Sequence, residues 1–266
     1  MAIITKATRS LPEFLRVVSL LSDKWEGPWF RGHDRAAYPL IPKRYRYRQI
    51  DEDEIRSEFK RRMSQLIVGS PPRTEWERYF LMQHYGLPTR LLDWSEGALL
   101  ALHFALITNN RRSDAAVWVL DPFWLNGEVI ANDKLLPDPD DPRDKELLEK
   151  YLPDPFPTKK LRLPDLPIAL QPPHIDRRIA AQLSSFTLHG REPYGLELAA
   201  GKTAAARLAK INIPRACVKR MLEQMLDAGI TETTVYPDLQ GLSLELTRLH
   251  ASRPIRWASH PARRFL

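Results

Sequence analysis

The densest group of chemically useful side chains in this 266-residue chain lies in one polar stretch between two apolar segments. Residues 82–95 read MQHYGLPTRLLDWS and contain His84, Tyr85, Arg90 and Asp93. Polar groups between apolar helices become partly buried, and buried polar groups must find partners. One interpretation is structural, with Arg90 paired to Asp93 and His84 bonded to loop backbone. The other makes this stretch the floor of a pocket.

A second candidate is Arg31, which stands between Phe30 and Gly32. A guanidinium binds a phosphate through parallel hydrogen bonds, and a neighbouring glycine lets the chain approach closely. We expect Arg31 and Asp93 to lie within about 8 Å of each other, because two buried charges without local partners need one another. The alternative is that Arg31 only fastens the end of a strand to a carboxylate.

These fragments resemble the FRG domain family, which is named for its Phe/Tyr-Arg-Gly motif. The motif at 30–32 and the block at 82–95 carry the resemblance, and pieces at 178–187, 213–214 and 229–239 agree with it. The resemblance runs from about residue 25 to residue 245. Such domains occur in bacteria and their phages. The resemblance therefore implies a toxin or an antiviral (phage-defence) effector, and it is compatible with an ADP-ribosyltransferase-like fold.

The resemblance implies an enzyme that uses a nucleotide cofactor, NAD, and transfers its ADP-ribosyl group. That reaction needs an arginine at the diphosphate, an aromatic ring beside the nicotinamide, and hydroxyl groups on a strand. Arg31 can fill the first role, and Tyr85 or Tyr38 can fill the second. The predicted cofactor-binding residues are Arg31, Gly32, Tyr85, Arg90, Ser184, Ser185 and Thr187.

The same reaction also needs a carboxylate, because it passes through an oxocarbenium-like state. Transferases of this type usually carry Glu-x-Glu or Gln-x-Glu on a late strand, whereas Glu-x-Glu occurs here only at 52–54 and 75–77, at two predicted helix starts. Asp238, Glu245 or Glu96 would have to replace it. A hydrolase triad of His84, Asp93 and Ser95 is a weaker option, since Ser95 is predicted to cap a helix. The predicted catalytic residues are Arg31, His84, Tyr85, Asp93 and Asp238.

The charge of the chain favours a different class of function. With 40 Lys+Arg against 33 Asp+Glu the net charge is +7, and a basic surface attracts polyanions. The sequence therefore leaves open a non-catalytic binding module that recognises nucleic acid or a protein partner. For an enzyme, nucleic acid or another macromolecule would be the acceptor. The basic residues cluster at 43–48, 60–62, 159–162, 215–220 and 263–264.

Other classes of site are not expected. The single cysteine, Cys217, excludes a disulfide framework and a multi-cysteine zinc site. The seven histidines show no paired ligand spacing, so we expect no metal. No apolar run approaches the roughly 18 residues that a membrane span needs, and the first residues do not resemble a signal peptide. We expect a cytoplasmic protein.

Apolar periodicity and capping residues predict a helix-rich α+β fold, a single domain over 1–266 around a small mixed sheet. An acidic, proline-rich excursion at about 133–174 interrupts the pattern. Extended segments are predicted at 25–32, 115–120, 183–188 and 208–213. Helices are predicted after Ser10, at 51–68, at 74–85, after Ser95, at 144–151, at 175–181, at 214–229 and after Pro237.

Overall fold

The computed structural model describes residues 3–67, 70–109, 112–132, 135–152, 162–171, 184–203 and 205–251. In this part of the chain, helices pack against a sheet of seven strands, which confirms the α+β class. The sheet is mixed as predicted, but it is larger than the small sheet that the sequence indicated. The helix predicted at 175–181 falls outside the described residues.

The seven strands lie in the order β1-β7-β4-β2-β3-β6-β5. The edge strand β1 runs parallel to β7, and each other neighbouring pair is antiparallel. The strands are β1 (Ile4–Ala7), β2 (Trp29–His33), β3 (Leu91–Ser95), β4 (Ala115–Leu120), β5 (Ile168–Leu170), β6 (Ser184–Leu188) and β7 (Leu208–Ile213).

Ten α-helices lie within the described residues, and the sequence marks the start of several. The side chains of Ser10, Asp51 and Thr74 each accept a backbone hydrogen bond at a helix start, as N-caps do. The helices are α1 (Leu11–Ser22), α2 (Glu52–Met63), α3 (Glu75–His84), α4 (Ala98–Ile107), α5 (Pro122–Ile130), α6 (Lys145–Tyr151), α7 (Gly195–Lys202), α8 (Arg215–Asp227), α9 (Glu232–Val235) and α10 (Leu239–His250).

Ser95 does not cap α4, contrary to the sequence prediction. It is the last residue of β3, paired on one side with Phe30 and on the other with Ser184. Its hydroxyl oxygen accepts a hydrogen bond from the backbone nitrogen of Gly97, 3.0 Å away. Pairing on both sides keeps Ser95 extended, and Gly97 takes the N-cap position of α4 instead.

The two faces of the sheet carry separate parts of the core. Phe30 packs with α1, α4 and α8, whereas Trp29, its neighbour on β2, packs with α5 and α7 on the opposite face. This alternation follows from the period of two in an extended strand. A third cluster joins α3 and α6 to β5 and β6.

The excursion at about 133–174 contributes to the sheet and to the core. Its predicted short helix is present as α6, with Leu148 and Tyr151 buried. Its strand β5 was not predicted, although all three residues are buried and paired with β6. In its described ranges, 135–152 and 162–171, the excursion is therefore packed against the rest of the chain.

The middle of the sheet contains a gap that positions the site. Strands β2 and β3 are joined by a single pair, Phe30 with Ser95. On its other side, β2 pairs with β4 along its full length, and β3 pairs with β6 in the same way. Beyond Phe30 no ladder connects β2 to β3, so the backbone groups that face the gap need other partners.

Candidate functional site

Arg31 fills the gap between β2 and β3. Its Nη1 donates to the backbone oxygen of Asp93 at 2.5 Å and lies 3.5 Å from Oδ2 of the same residue. The guanidinium thus satisfies a carbonyl that the missing ladder leaves open, and it pairs with a carboxylate as well. The prediction that Arg31 and Asp93 are neighbours is confirmed.

The expectation that both charges are buried is wrong for Asp93. Its side chain is 52% exposed, whereas that of Arg31 is 18% exposed. Burial lowers the pKa of the Arg31 guanidinium, and the charge of Asp93 opposes this shift. An arginine remains protonated under such a shift, so the site keeps a cation beside an accessible carboxylate.

Gln83, on α3, holds the Asp93 carboxylate from the other side. Its Nε2 lies 2.9 Å from each carboxylate oxygen and donates to them. The Gln83 carbonyl in turn accepts from the hydroxyl of Thr89, which fixes the orientation of the amide. Asp93 is therefore oriented by an uncharged amide and by Arg31, with part of its surface open to solvent.

His33 holds Arg31 within β2. The Nε of Arg31 donates to Nε2 of His33 at 3.2 Å, and Nδ1 of His33 lies 3.2 Å from the backbone oxygen of Tyr38. Burial and the positive charge of Arg31 lower the pKa of His33 to about 3. The imidazole is therefore neutral near pH 7, with its proton on Nδ1.

Two adjoining cavities share Arg31, Gly32 and Phe104, and we call them together the Arg31 cleft. Their volumes are about 320 Å³ and about 490 Å³, the size of small-molecule sites. The smaller cavity also contacts Phe30, Asp93, Trp94, Ser95, Ala101 and Ser184. The larger one also contacts His33, Asp34, Tyr38, Pro39, Ile41, Arg46 and Thr108.

Of the three predicted hydroxyls on β6, Ser184 lines the cleft. The hydroxyl of Ser185 donates to Glu96 at 2.9 Å. Thr187 is fully buried and accepts a hydrogen bond from the indole nitrogen of Trp94 at 3.0 Å. Ser185 and Thr187 are therefore engaged within the protein, and neither lines the cleft.

Arg90 has a structural role in this arrangement. Its Nε donates to Glu52 at 2.6 Å, and its two terminal nitrogens donate to the backbone oxygens of His189 and Tyr151. The side chain is 5% exposed and does not line the cleft. It ties α2, α6 and the end of β6 together.

Gly32 lines the cleft, but packing accounts for the absence of a side chain there. A Cβ at this position would overlap the backbone oxygen of Ala101 and lie 2.7 Å from the nitrogen of Ala105. Gly32 therefore allows α4 to lie directly on β2.

His84 and Tyr85 are both exposed at the end of α3, with their rings 5.1 Å apart. Tyr85 lines an apolar groove between α2 and α3, and neither residue lines the Arg31 cleft. The alternative aromatic residue, Tyr38, does line the cleft. The guanidinium of Arg35 lies over its ring, 5.5 Å from the centroid.

The late acidic residues also lie outside the cleft. Asp238 is the N-cap of α10 and accepts from the backbone nitrogen of Gly241 at 2.8 Å. Glu245 accepts from the backbone nitrogen of Thr233 at 3.0 Å. Among the described residues that line the cleft, the acids are Asp93 and Asp34.

His33 and Phe104 were not among the site residues predicted from the sequence. His33 follows Arg31 by two residues, so the period of a strand places both on one face, and this spacing was the available signal. For Phe104 no comparable signal exists, because its place at the cleft depends on how α4 packs on β2.

Comparison with known proteins gives one positive result. The model of the FRG domain matches residues 26–114, which include β2, α2, α3, β3 and α4. No curated protein and no solved structure gives a significant match. Arg31, His33, Gln83 and Asp93 all lie in the matched segment, together with most of the lining of the cleft. Over residues 26–114 this chain is therefore similar to the FRG domain family.

Proposed function

We propose that the Arg31 cleft binds a nucleotide cofactor through its diphosphate, and that the protein is an ADP-ribosyltransferase-like enzyme that uses NAD. The observation that carries the proposal is the pairing of Arg31 with the accessible carboxylate of Asp93 inside one cleft. The acceptor would be a nucleic acid or another macromolecule, as expected for a toxin or a phage-defence effector. A cytoplasmic location fits an enzyme of this kind.

The shape of the cleft supports a dinucleotide ligand. Arg31 lies where the two cavities meet, and a dinucleotide consists of two halves joined by a diphosphate. Among the described residues, Nη2 of Arg31 has no hydrogen-bond partner, so a donor remains for a phosphate oxygen. Tyr38 supplies an aromatic ring in the larger cavity, and Ser184 supplies a hydroxyl in the smaller one.

In the proposed reaction Asp93 takes the role that Asp238 was expected to fill. NAD would supply the ribose carbon at which the exchange occurs. Nicotinamide would leave with the electrons of its bond to that carbon, and the acceptor nucleophile would bond to the same carbon and lose its proton to solvent. The Asp93 carboxylate would stabilise the positive charge that develops on the ribose in between. Gln83 keeps the Asp93 carboxylate oriented for that purpose.

The alternative, a binding module for polyanions, also has a structural observation in its favour. Tyr47 is exposed between Arg46 and Arg48, which are exposed as well. An aromatic ring flanked by arginines can stack on a nucleobase while the cations bind phosphates. Since Arg46 also lines the Arg31 cleft, this surface and the cleft adjoin each other.

Calorimetry with NAD tests the enzyme proposal. The unaltered protein should bind NAD, and Arg31→Lys should weaken binding by about tenfold or more, because lysine keeps the charge but loses the planar donor geometry. Asp93→Asn should still bind NAD while release of nicotinamide falls by at least about a hundredfold. Arg220→Lys, at an exposed position on α8, is the matched control and should change neither quantity.

Melting curves separate loss of function from loss of fold. Arg31→Lys removes the hydrogen bond to the backbone oxygen of Asp93, which should lower stability by about 1 kcal/mol. A larger loss of stability, with NAD affinity per folded molecule unchanged, would show that Arg31 is structural. Failure of the unaltered protein to bind NAD would reject the nucleotide proposal.

A further inference from the structure

His33 is buried on β2, two residues beyond Arg31 and next to the cleft, and the proposed reaction does not use it. Both ring nitrogens are hydrogen-bonded, Nδ1 to the backbone oxygen of Tyr38 and Nε2 to Nε of Arg31. A side chain with two such contacts links the chain at Tyr38 to the charged group of the cleft. We propose that His33 is a positioning residue that fixes the Arg31 guanidinium for an anionic, phosphate-bearing ligand. The chemical class of the ligand in this inference rests on the proposed function.

The direction of the two hydrogen bonds defines how His33 acts. The backbone oxygen of Tyr38 can only accept, so Nδ1 must carry the ring proton. Nε2 then carries a lone pair, and it accepts a hydrogen bond from the Nε–H of Arg31. The bond to Tyr38 thus sets the tautomer, and the tautomer provides the acceptor that holds the guanidinium plane.

An uncharged acceptor has a further consequence for the ligand. A second carboxylate at this position would neutralise Arg31 and repel an anion, whereas a neutral imidazole leaves the positive charge available. Burial and the charge of Arg31 hold the pKa of His33 at about 3, so the ring stays neutral at physiological pH. With Nε bonded to His33 and Nη1 bonded to Asp93, the Nη2 side of the guanidinium remains for the ligand.

The opposite side of Arg31 is consistent with this arrangement. Asp93 contributes its backbone oxygen at 2.5 Å, and its carboxylate is farther away, at 3.5 Å from Nη1. The closest contacts of Arg31 are therefore two neutral acceptors, a carbonyl and an imidazole. These two acceptors orient the guanidinium, and the Asp93 carboxylate compensates part of its charge from farther away.

Two substitutions at His33 separate positioning from packing. His33→Asn retains an amide donor near the place of Nδ1, so the bond to Tyr38 can persist, but it is too short to accept from Arg31. His33→Gln places an amide oxygen near the place of Nε2 and can accept from Arg31. His84→Asn, at an exposed histidine, is the control.

The first measurement uses the free protein and needs no ligand. In protein labelled with ¹⁵N-arginine, the Nε–H signal of Arg31 should be protected from exchange in the unaltered protein and in His33→Gln. In His33→Asn that signal should exchange rapidly. Protection that is unchanged in His33→Asn would overturn the inference.

The second measurement is calorimetry with ADP as a diphosphate probe. ADP affinity should fall about tenfold or more in His33→Asn and by less than about threefold in His33→Gln, with melting temperatures of both close to that of the unaltered protein. Equal losses of stability in both variants, with affinity per folded molecule unchanged, would show a packing role and overturn the inference. If the unaltered protein does not bind ADP, the proposed function fails, and the Nε–H signal still decides whether His33 positions Arg31.

Discussion

Two arginines that the sequence predicted for the site, Arg31 and Arg90, differ in where their donors go. All three nitrogens of Arg90 donate to the protein, whereas Nη2 of Arg31 has no partner among the described residues. Arg90 is also deeply buried with Glu52 beside it. A buried charge of this kind depends on its partners, since removing one member leaves the other uncompensated. Arg90 therefore stabilises the fold, and of these two arginines Arg31 is the one with a donor left for the proposed ligand.

Arg90→Met should lower the free energy of unfolding by about 3 kcal/mol, because Glu52 and two backbone oxygens lose their donor. NAD affinity per folded molecule should stay unchanged. Urea unfolding and calorimetry measure the two quantities. Arg191→Met, which removes a half-exposed pair with Asp165, is the control and should cost less than about 1 kcal/mol. A stable Arg90→Met protein with lost NAD binding would restore Arg90 to the cofactor site.

Buried histidines make the stability sensitive to acid. Burial, with the charges of nearby arginines, lowers the pKa of His33 and of His189 from 6.5 to about 3. The folded state resists protonation of both rings. Their contribution to the free energy of unfolding is therefore complete above pH 6.5 and is lost as the pH falls towards 3.

Urea unfolding at about pH 7.5 and about pH 5.5 should therefore show a loss of about 1 kcal/mol per buried histidine at the lower pH. His189→Met should remove the part of this loss that His189 causes. His84→Gln, at an exposed position, should leave the pH dependence of stability unchanged. A His189→Met protein with undiminished acid sensitivity would contradict the assignment.

At the scale of elements, the cleft depends on the contact between β2 and α4. Gly32 lets the helix backbone approach the strand, and Phe104 of the same helix lines both cavities. The position of α4 therefore sets the width of the cleft. A side chain at residue 32 would push the helix away, since the atoms in its way belong to the helix backbone.

Gly32→Ala should lower the free energy of unfolding by about 2–3 kcal/mol, the upper part of the range for overpacking, and it should weaken NAD binding through displacement of Phe104. Gly201→Ala on α7 is the matched control, because no atom lies within 4 Å of the added Cβ. Because alanine favours a helix more than glycine does, Gly201→Ala should raise the free energy of unfolding by about 0.5–1 kcal/mol. Chemical denaturation of both variants tests the argument, and a Gly32→Ala protein as stable as the parent would refute the close contact.

At the scale of the whole molecule, the basic surface is less uniform than the sequence indicates. Arg61 and Arg62 both pair with Glu58, and Lys60 pairs with Glu75. The cluster at 60–62 is thus partly compensated, whereas Arg48, in the cluster at 43–48, is exposed. None of the helices in the described ranges is long and apolar enough to cross a membrane. Within the same ranges, no group of three or more potential ligands could hold a metal ion.

Binding of nucleic acid should therefore be electrostatic and independent of sequence. Affinity for a labelled duplex should fall steeply between about 50 mM and about 200 mM salt, because bound counterions are released. Arg48→Ala should reduce the slope of that dependence by about 1, and Arg61→Ala, whose guanidinium pairs with Glu58, should leave it nearly unchanged. Fluorescence polarisation measures both. A tight, salt-insensitive complex with one defined sequence would contradict this prediction.

The sequence alone determined the features that depend on local interactions. The N-caps Ser10 and Thr74 bond to groups three residues away, and the apolar run at 115–120 forms a strand as predicted. The motif at 30–32 and the block at 82–95 indicated the segment that is similar to the FRG domain, and that segment contains most of the lining of the candidate cleft. The sequence also predicted that Arg31 and Asp93 are neighbours, although its premise of two buried charges holds only for Arg31.

Only the tertiary structure decided what depends on distant pairing. Strands β3 and β5 were not predicted from the sequence, and in the structure both pair with β6, which lies between them. Which β6 hydroxyl faces the cleft was also open. Whether Tyr38 or Tyr85 lines the cleft was decided by how the loop after β2 and the end of α3 pack. A side chain on a strand faces one side or the other according to register, and register is set by partners far away in the chain.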